Sequence, residues 1–386
     1  MIGPGRGKRQ QMYWRPTKIP GRALLLLAVA AIVALVVVEN FKASEAAEYY
    51  DDMLSASRIV QEAIDVLRPI RGRIEPINPQ VDLTRSGLIG VASSPFTSNA
   101  GDLEAKQATI NPNWGAVVVR MLAEAGVKRG ETVAVAISGS FPALNIAVYA
   151  AMEVMDVEPI IIVSGSASQW GANVPGFGWM DIARHLREAR IVDIKADAAT
   201  LGGIDDRGAG LNQRGIEMIR QAAEQAGIEV FLPDSYEAAV ADRIRIYREA
   251  AGGTPIAAYI NVGGGIASTG PSSIDHFFEY GLSRTAPPRA FRAPSVMGHF
   301  LRQDVPVLNF SGMLTLTTRY GLPYPPLEPV SIGSGGVYQA VSYRRWLAGL
   351  MIVLLVVLTG VIMRSANIAL AVGGSSHTED TLKPKV

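Results

Sequence analysis

Thr132-Val133-Ala134-Val135-Ala136-Ile137-Ser138-Gly139-Ser140-Phe141-Pro142-Ala143-Leu144-Asn145 is the stretch on which the reading of this chain turns. Its first seven residues carry no charge, are rich in β-branched side chains, and stop at a Ser-Gly-Ser turn, the pattern of a strand buried on both faces. Pro142 then suits a helix start, because its missing N–H falls where no helical partner exists. Strand, tight turn and helix open a βαβ unit, whose crossover returns to a parallel neighbour.

The same alternation continues along the chain. Strands are expected at 88–92, Thr132–Ser138, 159–164, 191–195, 228–232, Ile256–Val262 and 305–310, and helices at 112–125, 142–155, 180–189, 211–226 and Tyr236–Ala251. Asn111 before Pro112 marks a helix start, its side chain accepting from an early amide. Gly126 and Gly227 mark helix ends, where left-handed backbone is needed. The expected fold is α/β: a doubly wound, mostly parallel sheet of the Rossmann-like three-layer type.

Two uncharged apolar stretches bracket this domain, Ala23 to Val38 and Trp346 to Met363. Sixteen residues at ~1.5 Å each fall a little short of the ~30 Å hydrocarbon core, a gap that Ile19 to Gly21 and the snorkelling Arg22 and Lys42 can close. The second stretch has Trp346 and arginines at its ends, as interfacial anchors require. A buried core helix is the alternative for the second stretch. A signal peptide is the alternative for the first, although Glu39, Asn40, Phe41 and Lys42 follow Val38 without a small-x-small cleavage site.

Orientation follows from the cations. Arg6, Lys8, Arg9, Arg15, Lys18 and Arg22 precede the first stretch with no acidic residue among them, which places the N-terminus in the cytoplasm; Arg344 and Arg345 oppose this weakly. The expected organisation is a basic cytoplasmic segment (1–22), a transmembrane helix (23–38), a juxtamembrane helix and linker (43–80), an extracytoplasmic α/β domain (81–321), a Pro/Gly-rich linker (322–345), a second transmembrane helix (346–363) and a cytoplasmic tail (364–386). In the juxtamembrane segment Met53, Val60, Ile64 and Leu67 form one helical face, for docking on the domain or on a partner, and Pro69, Pro76 and Pro79 are expected to break it. The plasma membrane is the expected location.

Composition excludes several chemistries. With no cysteine in 386 residues there is no disulfide, zinc-thiolate site or thiol nucleophile. The overall formal charge of +1 conceals 27 basic against 33 acidic residues between the N-terminal cations and the tail, so nucleic-acid binding has no basic stripe to rest on. Neither GxGxxG nor GxxxxGK[ST] occurs where a nucleotide would need it, and no cofactor is expected. The four histidines lack metal-ligand spacing, so no metal site is expected.

Three small-residue turns would fall together at the carboxyl edge of a parallel sheet, where ligands bind. They are Ser138-Gly139-Ser140, Ser164-Gly165-Ser166-Ala167-Ser168, and Gly263-Gly264-Gly265 with Ser268 beyond it. Exposed amides and a helix N-terminus there favour a carboxylate or phosphate; capping and tight turning are the alternative use of the same residues. Ser140 is a weak candidate nucleophile, since G-x-S-x-G is absent, and capping of the Pro142 helix is the other role open to it. A base would have to come from His185, His276, His299 or a lysine such as Lys106. Asp205-Asp206-Arg207 suits either a salt bridge or a contact to a cation.

The basic N-terminus with a single anchor, the motifs Ala136-Ile137-Ser138-Gly139-Ser140-Phe141-Pro142-Ala143-Leu144-Asn145 and Ile260-Asn261-Val262-Gly263-Gly264-Gly265, and the C-terminal membrane helix together resemble the bacterial poly-gamma-glutamate system protein family, sometimes called PgsW-like. The resemblance implies an accessory component of the membrane-bound poly-gamma-glutamate ligase and its small multispanning partner, serving a capsule or slime polymer. It carries over no catalytic residue. The acidic balance of the domain disfavours coating of a long polyanion and is more compatible with recognition of one terminus or a few residues. Two other functions remain open on the residues alone: a membrane-tethered hydrolase or transpeptidase acting through Ser140, and a cytoplasmic-facing phosphate-binding domain.

Overall fold

All seven residues of Thr132–Ser138 (β1) are buried, which is why the segment tolerates no charge. The computed structural model describes residues 21–46, 49–263, 265–325, 330–333 and 336–373. The cations of residues 1–20, Gly264, parts of the 322–345 linker and the tail beyond residue 373 lie outside the described residues. Among those described, β1 is central in a six-stranded sheet with Glu158–Ser164 (β2), Ala198–Thr200 (β3), Ile256–Val262 (β4), Gly281–Ser283 (β5) and Val307–Phe310 (β6). The order is β5-β6-β4-β1-β2-β3, parallel throughout except for the edge strand β5.

In chain order the helices are Gly21–Asn40 (α1), Tyr50–Ile74 (α2), Leu103–Ala108 (α3), Trp114–Ala125 (α4), Pro142–Val154 (α5), Trp179–Glu188 (α6), Gln213–Ala226 (α7), Tyr236–Ala251 (α8), Ile266–Thr269 (α9), Val296–Leu301 (α10), Met313–Arg319 (α11) and Arg345–Gly373 (α12). Successive side chains of β1 point to opposite faces, so the strand feeds two cores. Val133, Val135 and Ile137 pack with Leu67, Trp114, Leu122, Ile146, Ile182 and Ile219. Ala134 and Ala136 pack with Ala239, Val240, Tyr247 and Phe300 on the other face. Helices therefore cover both sides of a mostly parallel sheet. Each fully buried Leu, Ile or Val contributes ~1.5–3 kcal/mol relative to exposure.

The chain forms two compact units: residues 46–339, which hold the sheet, and residues 1–45 with 340–386, which hold α1 and α12. α1 and the Arg345–Ser365 part of α12 are each long and apolar enough to cross a membrane. At 20 residues α1 reaches about 30 Å, four residues longer than its uncharged centre. Leu25, Ile32, Val353 and Val356 point outward with more than half of their surface exposed. At one end of this unit, Tyr343 donates to Glu39 at 2.7 Å and Lys42 pairs with Glu39 at 2.6 Å, tying the close of α1 to the residues just before α12.

Several expectations are corrected. Ala43–Ala46 is a short strand, and the juxtamembrane helix begins at Tyr50 and runs through Pro69 to Ile74. Pro69 removes the one donor that would bond the carbonyl of exposed Asp65, while Leu67 and Arg71 on either side are buried. The face of Met53, Val60, Ile64 and Leu67 docks on α4 and α5, not on a partner, and Gly115 lets the Ala56 backbone approach so closely that a Cβ would sit 2.7 Å from it.

Residues 88–92 form no strand, because the Gly90 and Val91 amides bond to Trp170 O and Asn173 Oδ1. Residues 191–195 do alternate, burying Val192 and Ile194, but they make no ladder; Asp197 takes the Ile161 amide at 2.7 Å and pairing starts at Ala198. Of 228–232, only Val230 bridges to Ala199. Gly126 and Gly227 end α4 and α7 in left-handed backbone, as expected. Within the sheet-bearing unit, Tyr338 of the 322–345 linker donates to Asn113 at 2.6 Å.

Leu67→Ala is expected to remove ~2–5 kcal/mol by opening a cavity under α2. Denaturant unfolding of the full chain in detergent measures this, and an unchanged midpoint would show that α2 is not part of the core.

Candidate functional site

β1, β2 and β4 run in one direction and in matched register, Ser138 opposite Ser164 and Ile137 opposite Val262, so their carboxyl ends stop level. The chain leaves β1 toward β2 and β3, then crosses back to β4 on the other side. That reversal leaves a crevice outside the strand ends. A cavity of about 180 Å³ occupies it. Ser138, Ser140, Ser164, Ser166, Gly263 and Gly265 line it, six of the residues singled out from sequence, joined by Ser98, Asn99, Gly203, Ile204, Asp206 and Ile266.

Glycine at 263 is required by geometry. Its φ is +94°, and a Cβ there would run into Ser138 Oγ. Three other sequence candidates do not face the cavity, and Gly264 lies outside the described residues. Gly139 donates to Ser166 O at 3.2 Å and accepts from Ala172 at 2.7 Å, and Gly165 donates to Thr200 O at 2.9 Å with a Cβ barred by Ile219. Both are turn glycines. Ser268 shares a 2.5 Å hydrogen bond with Tyr259 Oη in the second layer, beside a smaller void below the cleft.

Ser140 does not cap α5. Phe141 occupies the cap position without a side-chain bond, one residue nearer the helix, and Ser140 Oγ instead accepts from the Ser168 amide at 3.1 Å. His185 pairs with Glu188 on the outer face of α6, and His276 is exposed; neither has a bond to Ser140. His299 lines a separate cavity, its imidazole held below its ordinary value by burial and by the charges of Arg302 and Arg248.

The open choice at Asp205-Asp206-Arg207 resolves as a salt bridge with a distant partner. Arg243 Nε donates to Asp206 Oδ2 at 2.6 Å, and Arg243 Nη2 donates to Ser164 Oγ at 3.0 Å; Thr200 Oγ1 donates to Asp206 Oδ1 at 3.0 Å. Burial alone would pull the Arg243 guanidinium down, but the Asp206 carboxylate outweighs it and holds the group above its ordinary value. The two charges cancel beneath the cleft, whose wall then offers hydroxyls, amides and one compensated carboxylate. Such a wall suits a small ligand with several polar groups better than a polyphosphate. The volume lies below the ~300–1,000 Å³ of drug-sized sites.

Lys106 is buried as well. Its Nζ donates to Ser168 Oγ at 2.7 Å and sits 3.6 Å from the Phe141 ring centroid. Burial lowers its amine to about 7, with the Asp102 carboxylate opposing. Among the described residues, no group of three or more His, Asp and Glu could hold a metal ion. Sequence reading missed Ser98 and Asn99, which lie in a polar stretch that reads as loop, and Arg243, which lies in Asp242-Arg243-Ile244-Arg245 and reads as a solvated helix face. No family model, curated protein or solved structure matches the chain.

Arg243→Met should cost ~3–5 kcal/mol, because it strands the Asp206 carboxylate in the interior, and adding Asp206→Asn should recover part of the loss. Urea unfolding of the single and double variants tests the coupling; equal losses in both would mean the pair is not energetically linked. A lysine whose folded value lies below its unfolded value binds fewer protons in the native state, so stability rises with pH from about 7 toward the ordinary lysine range. The unfolding midpoint should climb across that window, and the climb should shrink in Lys106→Met.

Proposed function

We propose that this chain is a membrane-anchored accessory component of poly-gamma-glutamate synthesis or export, its doubly wound, Rossmann-like domain lying outside the cytoplasm. The observation that carries the reading is the serine- and glycine-lined cleft at the carboxyl ends of β1, β2 and β4, in a chain bracketed by two helices fit to span a bilayer. Tyr343 and Glu39 tie one end of α1 to the start of α12, which supports a helical hairpin with both chain ends on one side of the membrane. The cations before α1 favour the cytoplasm for that side.

Each residue of the polymer presents an α-carboxylate, and the chain end adds a free amine or acid. Hydroxyls and glycine amides can pair with a carboxylate, while the serine hydroxyls can accept from an ammonium. A cleft of this size holds an end or a few residues, in keeping with the acidic balance of the domain. The polymer ligase and its multispanning partner are the proposed protein partners, and the lipid-facing helices the proposed means of holding the domain near them.

Titration of the full-length protein in detergent with short γ-linked glutamate oligomers should show saturable binding, weakened about tenfold or more by Ser166→Trp, which fills the cleft. The protein should also co-purify with the polymer ligase after gentle solubilisation. Absence of oligomer binding, together with unchanged polymer yield, length and export in a clean deletion strain, would refute the proposed role.

A further inference from the structure

We infer that Ser168 and Lys106 form a serine nucleophile with a lysine base, set to act on a small polar amide or ester held in the cleft. The pair has the geometry that such chemistry needs: 2.7 Å between Lys106 Nζ and Ser168 Oγ, both side chains buried, and the amine lying against the Phe141 ring. Burial takes the ammonium out of water, and this outweighs the Asp102 carboxylate, which favours the charged form, so the neutral amine, the form able to accept a proton, is favoured. Burial accordingly moves the amine to about 7.

Ser168 also stands next to the ligand site. Its amide donates to Ser140 Oγ, and its register partner in the short parallel pair is Asn99; both of these residues line the cleft. Neither Ser168 nor Lys106 is among the residues that line the cleft; an electrophile held there would have to reach Ser168 Oγ past Ser140 and Asn99. Ser140 remains at the wall, where its hydroxyl can donate to a developing oxyanion, a positioning role that differs from the nucleophile expected from sequence.

Ser168 Oγ bonds to the carbonyl carbon while its proton passes to Lys106 Nζ; the C–N or C–O bond then breaks, and Lys106 returns the proton to the departing nitrogen or oxygen. An ester on Ser168 is left. Water, deprotonated by the same amine, attacks that ester, the acid departs, and the serine recovers its proton.

The inference rests on the reading of the cleft as a ligand site, and an alkyl fluorophosphonate separates the two. The full-length protein in detergent is treated with the probe and the adduct located by peptide mass spectrometry. Attack forms the Oγ–P bond and expels fluoride, so the expected adduct is on Ser168. Its rate should rise as pH passes through about 7, and it should fall about a hundredfold in Lys106→Met with His185→Ala unchanged.

No adduct on Ser168, an adduct on Ser140 instead, or equal rates in wild type and a folded Lys106→Met overturns the inference. If Lys106→Met does not fold, the wild-type pH profile decides, and a rate that rises only in the ordinary lysine range overturns it. Oligomer binding without a Ser168 adduct would defeat the nucleophile and leave the cleft reading standing; an adduct without oligomer binding would defeat the oligomer reading and leave the nucleophile.

Discussion

The parallel register of β1 with β2 and β4 is the constraint on which the remaining structure depends. Because Ser138 aligns with Ser164 and Ile137 with Val262, the three strands end level and the turns that follow meet. A one-residue slip in either pairing would exchange the two faces of a strand. The Val133, Val135 and Ile137 side would then confront α8, and Ala134 and Ala136 would leave voids against α4 and α5. Core packing thus fixes the site, since the same alternation that divides large from small side chains also sets where the serines fall.

Two buried cations beside the cleft illustrate different solutions to one problem. Arg243 cannot give up its proton, so it is held by a carboxylate and two hydroxyls, and its charge is cancelled where it lies. Lys106 can give up its proton, and burial favours that outcome against the opposing Asp102 carboxylate. The cleft consequently has little net charge. Its selectivity must come from the placement of hydroxyls and amides, with the Arg243–Asp206 pair maintaining the floor on which Ser164 sits.

The apolar helices impose a separate constraint. A stripe of exposed Leu, Ile and Val on α1 and α12 is unfavourable in water, and a lipid environment removes the penalty. The adjoining Glu39, Lys42 and Tyr343 are the polar and amphipathic types that suit a membrane boundary.

Local sequence determined the elements whose signals are local. Uncharged runs identified β1 and β4 to the residue, Gly126 and Gly227 marked the ends of α4 and α7, and hydropathy located both apolar helices. It also placed three small-residue turns at one sheet edge, because strand, turn and helix in succession fix which end of each strand carries the turn. Only the tertiary structure decided which of those residues face the cavity: Gly139 and Gly165 turn inward, and Ser140 bonds the Ser168 amide. It likewise decided that Arg243 pairs with Asp206, and Lys106 with Ser168. Those partners lie 37 and 62 positions apart, and no periodicity links them; burial chose them, since a polar group removed from water must find whatever complementary group the packing brings within reach.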